Sequence, residues 1–406
     1  MKAIIAGGGI GGLVTALCLH DAGIECCVYE SVETIKPLGV GINLLPHAMR
    51  VLTELGLEPL IEESAVATSA LVYANKFGQV YWSEARGKFA GYKWSQFSIH
   101  RGKLQMLLFD EVSKRLGKDK LLTGHHLENF ATENDQVKAS FSTAYGEVEV
   151  MGDLLIAADG IHSRVRHLLF PSEGEVIYSG NILYRGTSLM KPFLNGSSMV
   201  MIGHNRHKMV VYPIAKPGED GLQLINWVGN LKEENLQLKA RDWNRKADKN
   251  MLLEKYKGWN FDWLDVEEMI GRSEAIYEFP MSDRDPLPAW SFGKVTLLGD
   301  AAHPMYPIGS NGASQAILDA AFLATCLTEN SSVETALKNY ENERLTATSK
   351  VVLQNRKKGP DSIMDLMEER FPNGFEEHEI PVEDLSNIMD HYRQLAGFDK
   401  VSLNAR

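Results

Sequence analysis

The chain has 406 residues, of which 44% are hydrophobic and 23% are charged, and its formal net charge is −11. At roughly 100–200 residues per domain, this length fits two domains with a large core. The acidic balance argues against nucleic-acid binding, because such binding needs a basic surface that neutralises phosphates. The apolar N-terminus contains five glycines, which does not suit a secretory signal, and no other run approaches the roughly 18 apolar residues of a membrane span.

The metal-binding residue types are sparse. No spacing typical of zinc sites occurs among the four cysteines, which are Cys18, Cys26, Cys27 and Cys326. They favour reduced, buried thiols in a cytoplasmic protein. His204 and His207 lie three positions apart without a neighbouring carboxylate, so we predict loop histidines and no metal site.

The first thirty residues predict a strand, a turn, a helix and a second strand. Residues 3–6 form a short apolar run, and the apolar spacing from Gly11 to about Ala22 is typical of a helix. Gly23 suits the end of that helix. Residues 25–29 then predict the second strand, which ends at Glu30.

The turn in this unit carries a G-x-G-x-x-G pattern at Gly7, Gly9 and Gly12. Gly7 permits a tight turn, Gly9 lets a pyrophosphate approach the backbone, and Gly12 lets the helix pack closely on the strand. The N-terminus of the helix offers free N–H groups to the phosphates. Glu30 can accept hydrogen bonds from ribose hydroxyls. The segment therefore predicts a dinucleotide site; a plain glycine-rich turn leaves Glu30 unexplained, and the pattern alone does not separate FAD from NAD.

Two later apolar strands also end in polar loops. Residues 154–158 precede Asp159-Gly160, and residues 295–298 precede Gly299-Asp300. Open α/β sheets bind ligands at the carboxyl ends of their strands. Either loop alone is a common strand-end turn, but all three in this order indicate one ligand site.

These three motifs resemble those of the FAD-dependent aromatic hydroxylases, the single-component flavoprotein monooxygenases, over about residues 1–345. The resemblance implies an α/β fold with a Rossmann-like FAD-binding domain, an inserted β-sheet substrate domain and a C-terminal helical tail. It implies that Asp300 binds the ribityl chain of FAD. It also implies that the loop at 307–312 lies along the isoalloxazine, with the dipole of the following helix favouring negative charge on the reduced flavin.

The resemblance also assigns cofactor contacts residue by residue. The segment 98–105 is similar to one in which an arginine reaches FAD, so Arg101 and Gln105 carry over, and the segment 125–130 suggests a backbone contact of Leu127 with the adenine. The expected FAD-binding residues are Gly7, Gly9, Gly11, Gly12, Glu30, Val40, Gly41, Arg101, Leu127, Asp159, Asp300, Gly309, Gly312 and Ala313.

Two segments near the expected flavin leave alternatives open. In residues 38–46, Gly39 and Gly41 allow close approach to the flavin edge and flavin movement, or they form a turn before a helix. In the loop, Pro307, Gly309 and Gly312 match the family. Four other positions depart from the commonest form of the family, namely Ser310, Asn311, Ser314 and Leu318. The residues at these positions resemble those of the branch that hydroxylates phenazines and pyridine-type rings.

Residues 176–230 contain several strand-like runs that could wall an aromatic pocket. The candidate substrate-pocket residues are Tyr184, Tyr212, Met305 and Pro307, although aromatic and methionine side chains at alternating positions are also typical of a core. Arg185 suits a salt bridge as well as a substrate contact.

The domain prediction follows from these assignments. The predicted FAD-binding domain comprises residues 1–70, 98–175 and 276–345, the substrate domain 71–97 and 176–275, and the tail 346–406. The tail suits a cap over the pocket or a dimer contact, in a monomer or homodimer.

By resemblance, NADH or NADPH reduces the FAD, and a flavin hydroperoxide formed with O2 transfers one oxygen atom to an electron-rich aromatic or N-heteroaromatic small molecule. No second dinucleotide fingerprint follows the first, so we expect the nicotinamide to bind transiently. No catalytic base can be assigned. The alternative is an FAD-dependent reductase or dehydrogenase on the same fold. A flavin-dependent halogenase is disfavoured because the tryptophan spacing around Trp259 and Trp263 differs from that of the halogenase family. A non-enzymatic flavin-binding module is disfavoured because it leaves the glycine loop without a role.

Overall fold

The computed structural model describes residues 1–35, 40–233 and 245–405. The strands are β1 (Lys2–Ala6), β2 (Glu25–Tyr29), β3 (Gly41–Leu44), β4 (Val66–Ala67), β5 (Ala70–Ala74), β6 (Val80–Ala85), β7 (Phe97–His100), β8 (Leu121–Leu122), β9 (His126–Glu133), β10 (Gln136–Thr143), β11 (Gly146–Gly152), β12 (Leu154–Ala157), β13 (Ile177–Met190), β14 (Ser198–His204), β15 (His207–Pro213), β16 (Gln223–Lys232), β17 (Arg245–Lys246), β18 (Asn260–Phe261), β19 (Leu264–Asp265), β20 (Ile276–Asp283), β21 (Ser291–Phe292) and β22 (Val295–Leu297).

The α-helices are α1 (Ile10–Asp21), α2 (Pro46–Glu54), α3 (Glu58–Ser64), α4 (Arg101–Leu116), α5 (Arg164–Leu169), α6 (Lys249–Lys255), α7 (Val266–Arg272), α8 (Gly312–Glu329), α9 (Val333–Arg356), α10 (Ser362–Arg370), α11 (Val382–Leu395) and α12 (Lys400–Asn404). Short 3₁₀ turns lie at Gly299–Ala301 and Ile308–Ser310.

The first sheet has the order β21-β22-β12-β1-β2-β8. The pairs from β22 to β8 are parallel, and only the edge pair β21–β22 is antiparallel. β1 and β12 are almost wholly buried apolar runs, as expected for strands covered on both faces. Because the strands are parallel, the carboxyl ends of β1, β12 and β22 meet at one edge of this sheet.

The helix predicted after the glycine turn is present as α1, and the predicted strand at 25–29 is present as β2. Gly23 has φ +70, the left-handed conformation that ends a helix. The predicted α/β class and the predicted C-terminal helices are confirmed.

The second sheet has the order β17-β20-β13-β16-β15-β14-β5-β6 and is antiparallel except where β14 pairs with β5. Alternate side chains of its central strands pack on α6 and α7 around the buried Trp227 and Tyr256. The other face looks toward the first sheet. β20 pairs with β13 along residues 276–283 and so belongs to the second sheet, although residue 276 opens the last segment of the predicted FAD-binding domain. The apolar sequence of β20 would suit a strand of either sheet, and only its pairing with β13 shows that it belongs to the second sheet. The remaining domain boundaries stay a prediction.

The residues after 345 form the end of α9 and α10–α12. They form the predicted C-terminal helical tail. Met364 and Met389 from these helices pack with Tyr73 and Met199 of the second sheet. The C-terminal segment therefore lies against the same sheet face that looks toward the first sheet.

The described residues contain no helix that is both long and apolar enough to cross a membrane. They also contain no group of three or more His, Cys, Asp or Glu side chains suited to hold a metal ion. All four cysteines are buried and unpaired with one another.

Candidate cofactor and substrate site

A cavity of about 500 Å³ lies between the carboxyl ends of the first sheet and the inner face of the second. Eleven of the eighteen predicted site residues line it: Gly9, Gly11, Gly41, Arg101, Tyr212, Asp300, Met305, Pro307, Gly309, Gly312 and Ala313. The tertiary fold therefore brings the three sequence motifs and part of the inserted sheet to one space.

The three glycines of the turn have different surroundings. A Cβ on Gly7, which has φ +110, would lie 2.3 Å from the carbonyl oxygen of Ala158. A Cβ on Gly12 would lie 2.0 Å from the carbonyl oxygen of Gly7, so α1 packs tightly on β1. A Cβ on Gly9 would meet no protein atom within 4 Å. Gly9 directly precedes α1, and no side chain caps this end of the helix. The open space and the uncapped N–H groups together suit a phosphate.

Glu30 lies beside this turn. Its carboxylate accepts hydrogen bonds from the Gly8 N–H at 2.6 Å and the Val32 N–H at 2.9 Å. Gln105 donates to the Gly8 carbonyl at 2.9 Å, which places that predicted residue at the turn as well. Glu30 therefore holds the turn in place, and its ribose contact stays a prediction.

Leu127 is buried on β9 and does not line the cavity. Its segment is nevertheless close to Glu30, because the His125 N–H donates to the Glu30 carbonyl at 2.8 Å. The predicted contact between Leu127 and the adenine would therefore lie at the end of the site near Glu30, and it stays a prediction.

At the middle motif, Gly160 rather than Asp159 lines the cavity. One Asp159 oxygen accepts from the Arg164 N–H at 2.8 Å, while the other is buried without a partner. Burial raises the pKa of this carboxyl. Only the unpartnered oxygen remains for a cofactor.

Arg166 connects the middle motif with the late motif. It is 1% exposed, forms an ion pair with Glu173, and donates from one nitrogen to the carbonyls of Ala301 and Ala302 at 3.0 and 2.9 Å. These contacts fix the chain that follows Asp300.

Asp300 faces the cavity, and no described residue donates a hydrogen bond to its carboxylate. The surrounding protein raises the pKa of this carboxyl, while the charges of His303 and Arg101 oppose the rise. A carboxylate that is exposed to the cavity and has no protein partner suits a ligand with hydroxyl groups.

Directly behind Asp300 lies a fully buried network centred on Asp319 of α8. Its carboxylate accepts from His303 Nε2 at 2.5 Å, from the Gly299 N–H at 3.1 Å and from Arg344 Nε at 2.7 Å. Burial alone raises the pKa of Asp319, but the charges and hydrogen bonds of His303 and Arg344 outweigh it and hold that pKa at about 2. The network fixes the strand end that carries Asp300.

The loop after Pro307 brings backbone to the cavity. Gly309 has φ +67, and a Cβ there would lie 2.3 Å from the hydroxyl oxygen of Tyr392. Gly312 and Ala313 begin α8, whose first turn has no side-chain cap. The N–H groups and the positive end of the α8 dipole therefore face the cavity.

Tyr392 of α11 ties this loop to the C-terminal segment. Its hydroxyl accepts from Asn311 Nδ2 at 3.1 Å and lies 3.0 Å from Asn355 Oδ1 and 3.2 Å from the Ile308 carbonyl, either of which can accept its proton. Together with Phe398 it lines the cavity. The tail therefore contributes to one wall of the cavity, and its two predicted roles, a cap over the pocket or a dimer contact, stay predictions.

Replacing Tyr392 by phenylalanine is expected to lower the free energy of unfolding by about 1–3 kcal/mol, because buried polar groups lose their partner. Urea unfolding would measure the change. Tyr145→Phe is the matched control, since the Tyr145 side chain is fully exposed. Equal stability of the two variants would contradict a structural role of the hydroxyl.

The segment around residue 40 bonds to the start of α4. The Arg101 N–H donates to the Val40 carbonyl at 2.9 Å. A Cβ on Gly41 would lie 2.5 Å from the Tyr212 ring, so its close approach is to the second sheet. Gly39 lies outside the described residues.

The second sheet supplies the opposite wall. Tyr212, Met305 and Pro307, whose contact with a substrate stays a prediction, line the cavity. Tyr184 does not: it packs in the core on α6 and α7, on the far face of β13. The prediction for Tyr184 is corrected because strand side chains alternate, so its neighbours Leu183 and Arg185 face the cavity instead.

Several residues of the site were missed by the sequence analysis. His303 lies in the loop after Asp300 and Asp319 lies in α8, and their spacing of 16 residues gave no sign of contact. Tyr392 and Arg344 approach only through the packing of α9 and α11. One sequence signal could have identified Asp319 as a site residue, namely a charged residue within an apolar stretch of a predicted helix.

The chain matches known proteins along most of its length. A family described as "FAD binding domain" matches residues 1–355. Phenazine 1,6-dicarboxylic acid hydroxylase PhzS of Lysobacter antibioticus is 42% identical over 360 residues, covering 87% of this chain and 88% of that protein. 6-Hydroxynicotinate 3-monooxygenase of Pseudomonas fluorescens is 29% identical over 360 residues, covering 86% and 88%.

Solved structures show the same fold at lower identity. HpxO of Klebsiella pneumoniae, complexed with FAD and uric acid, superimposes with a TM-score of 0.75 at 21% identity and covers 99% of this chain and 96% of its own. A salicylate hydroxylase substrate complex gives a TM-score of 0.75 at 21% identity, covering 100% and 97%.

Proposed function

Because the chain belongs to the FAD-dependent aromatic hydroxylases, we propose that it inserts one oxygen atom of O2 into an electron-rich aromatic or N-heteroaromatic small molecule at the expense of NADH or NADPH. One observation carries this proposal. A cradle suited to a flavin nucleotide and a wall of apolar and aromatic side chains share one cavity.

The residues present fit FAD. Gly9 and the start of α1 offer space and N–H groups for the pyrophosphate, and Asp300 offers an unpartnered acceptor for the ribityl hydroxyls. Gly309 and Gly312 bring the backbone at the start of α8 to the position proposed for the flavin ring. When bound, FAD supplies the transfer of electrons from the nicotinamide and the activation of O2.

The opposite wall is suited to a flat ring. Met199, Met201, Tyr212 and Phe279 line it, together with Met305 from the loop before the flavin cradle. Adaptable methionines and aromatic faces pack well on planar apolar ligands. The role of the protein is to hold the ring against the flavin and to exclude water.

The proposal includes a transient nicotinamide contact, because the sequence shows one dinucleotide fingerprint. The PhzS and 6-hydroxynicotinate relatives act on nitrogen-containing rings by name. We therefore extend the proposal to phenazine-like or pyridine-like rings, and to a cytoplasmic location that supplies the nicotinamide.

The test is anaerobic reduction of the holoenzyme by NADH and by NADPH, with and without phenols, phenazines, pyridines and quinolones. A large acceleration by one ring class, followed in air by a product carrying one added oxygen, is the expected result. It also identifies the preferred nicotinamide.

Fast reduction that is indifferent to every ring compound, with no oxygenated product, would contradict the hydroxylase function. It would favour the alternative reductase or dehydrogenase on the same fold. Mass spectrometry of the product after turnover under ¹⁸O₂ separates the two directly, since only a monooxygenase incorporates the label.

A further inference from the structure

Methionine side chains are concentrated around the cavity. Five of the 15 methionines of the chain line it, namely Met199, Met201, Met281, Met305 and Met389. Among the described residues that line the cavity, none is a cysteine. The thioether sulfurs of these methionines are therefore the sulfur atoms that an oxidant formed in the cavity would meet.

Met305 lies beside the position proposed for the flavin ring. It stands between Asp300 and the loop that begins at Pro307, and its Cγ lies 3.9 Å from the place that a Cβ on Gly312 would occupy. Gly312 is the first residue of α8. The Met305 side chain also packs on the apolar cluster that contains Phe398. This thioether is therefore held within reach of an oxidant released at the ring.

The other methionines of the cavity are less available. Met201 and Met389 are buried in the apolar cluster around Tyr73. The buried Met199 sulfur accepts a hydrogen bond from Asn43 Nδ2 at 3.7 Å, which engages one of the lone pairs that an oxidant would need. Met305, in contrast, is only half-buried. Exposure within the cavity thus favours oxidation of Met305 before its neighbours.

We propose that Met305 is oxidised to methionine sulfoxide when the enzyme turns over without a ring substrate, and that this modification reversibly inactivates it. The inference rests on the proposed function in one respect, because it requires FAD in the cavity that passes electrons to O2. Without a ring to oxygenate, two electrons from the nicotinamide convert O2 to hydrogen peroxide.

The oxidation of the side chain transfers one oxygen atom and two electrons. A lone pair of the Met305 sulfur attacks one oxygen of hydrogen peroxide, so that an S–O bond forms and the O–O bond breaks. The proton on the transferred oxygen passes to the displaced hydroxide, which leaves as water. A polar sulfoxide then replaces a flexible apolar side chain. We expect this change to weaken the packing of a flat ring on the wall.

The test uses the FAD-loaded protein in air with an excess of NADH or NADPH, without a ring compound and with catalase in the solution. Catalase destroys the peroxide that leaves the cavity. Met151 is exposed and lies outside the cavity, so it reports peroxide that acts from the solution. Mass spectrometry of peptides measures the gain of one oxygen atom, which is expected to be at least about fivefold greater at Met305 than at Met151.

A parallel sample of the same protein receives hydrogen peroxide from outside, without nicotinamide and without catalase. Here the order is expected to be reversed, with Met151 oxidised before Met305, because the peroxide now reaches exposed side chains first. The two samples together separate oxidation inside the cavity from oxidation by the solution.

Met305→Leu keeps an apolar side chain of similar size and removes the sulfur. After the same turnover without a ring compound, each protein is compared with its own initial rate of ring-stimulated nicotinamide oxidation. The wild type is expected to lose about half of that rate or more, and a methionine sulfoxide reductase should restore it. Met305→Leu should keep its initial rate, whereas the matched control Met151→Leu should lose as much as the wild type.

Three results would overturn the inference. The first is an unmodified Met305 after nicotinamide has been consumed, and the second is equal oxidation of Met151 and Met305 in the presence of catalase. The third is a protein that consumes no nicotinamide without a ring compound, since it forms no oxidant. Failure of the proposed function differs from all three, because it would show as oxidised Met305 in a protein that gives no oxygenated ring product.

Discussion

Replacing Asp319 by alanine is expected to lower the free energy of unfolding by about 3–5 kcal/mol. The reason is that Asp319 neutralises Arg344, bonds to His303 and accepts the Gly299 N–H, all at buried positions. Its removal leaves the buried Arg344 without a counter-charge, although Arg344 still donates to Gln315 Oε1 at 2.7 Å, and it leaves the Gly299 N–H without a partner. Urea unfolding monitored by circular dichroism would measure the loss.

Two variants make this prediction specific. Asp319→Asn keeps the shape and one acceptor but removes the charge, so it should be less destabilising than alanine. Thr325→Ala, on an exposed part of the same helix, should change the stability by less than about 0.5 kcal/mol. An Asp319→Ala variant as stable as Thr325→Ala would show that the network does not support the fold.

The same network has a pH dependence with a defined sign. The pKa of Asp319 is held at about 2, below the ordinary value of 3.8. Its contribution, about 2 kcal/mol, is therefore fully present above about pH 4 and is lost as the pH falls toward 2. The Asp319→Asn variant should not show this loss of stability as the pH falls toward 2. Identical acid-unfolding curves for the wild type and the Asp319→Asn variant would contradict this contribution of Asp319.

Replacing Asp300 by asparagine is expected to weaken FAD binding by about 10- to 100-fold, because charge-assisted hydrogen bonds to the ribityl hydroxyls are lost. The apoprotein, in contrast, should be as stable as the wild type or more stable. The raised pKa of Asp300 means that folding favours its protonated form. Its ionised form thus destabilises the apoprotein as the pH rises through the folded-state pKa.

FAD titration of the apoprotein, followed by fluorescence, and thermal unfolding of the apoprotein would measure the two effects separately. Asp262→Asn is the control, since that residue is exposed and lies outside the cavity. Weak FAD binding together with a less stable apoprotein would make Asp300 a structural residue. Unchanged FAD affinity would remove it from the cofactor site.

The local parts of the site could be predicted from the sequence because each depends on neighbours in the chain. The positive φ of Gly7 and the contact of Gly12 with the Gly7 carbonyl need glycine whatever lies elsewhere in the chain, and both are observed. The strand ends before Asp159 and Asp300 follow from short apolar runs that stop at a polar loop. These features, with the resemblance, sufficed for the cofactor and the fold class.

The sequence by itself determined that a strand–turn–helix unit would offer glycine backbone to a phosphate, because backbone conformation and helix ends are local properties. Only the tertiary structure decided which face of β13 meets the cavity, so that Arg185 rather than Tyr184 lines it. It also brought Tyr392 to Gly309 and Arg344 to Asp319, contacts between residues that are 83 and 25 positions apart. Such contacts depend on how whole elements pack, and the register of one strand or the docking of one helix changes them all together.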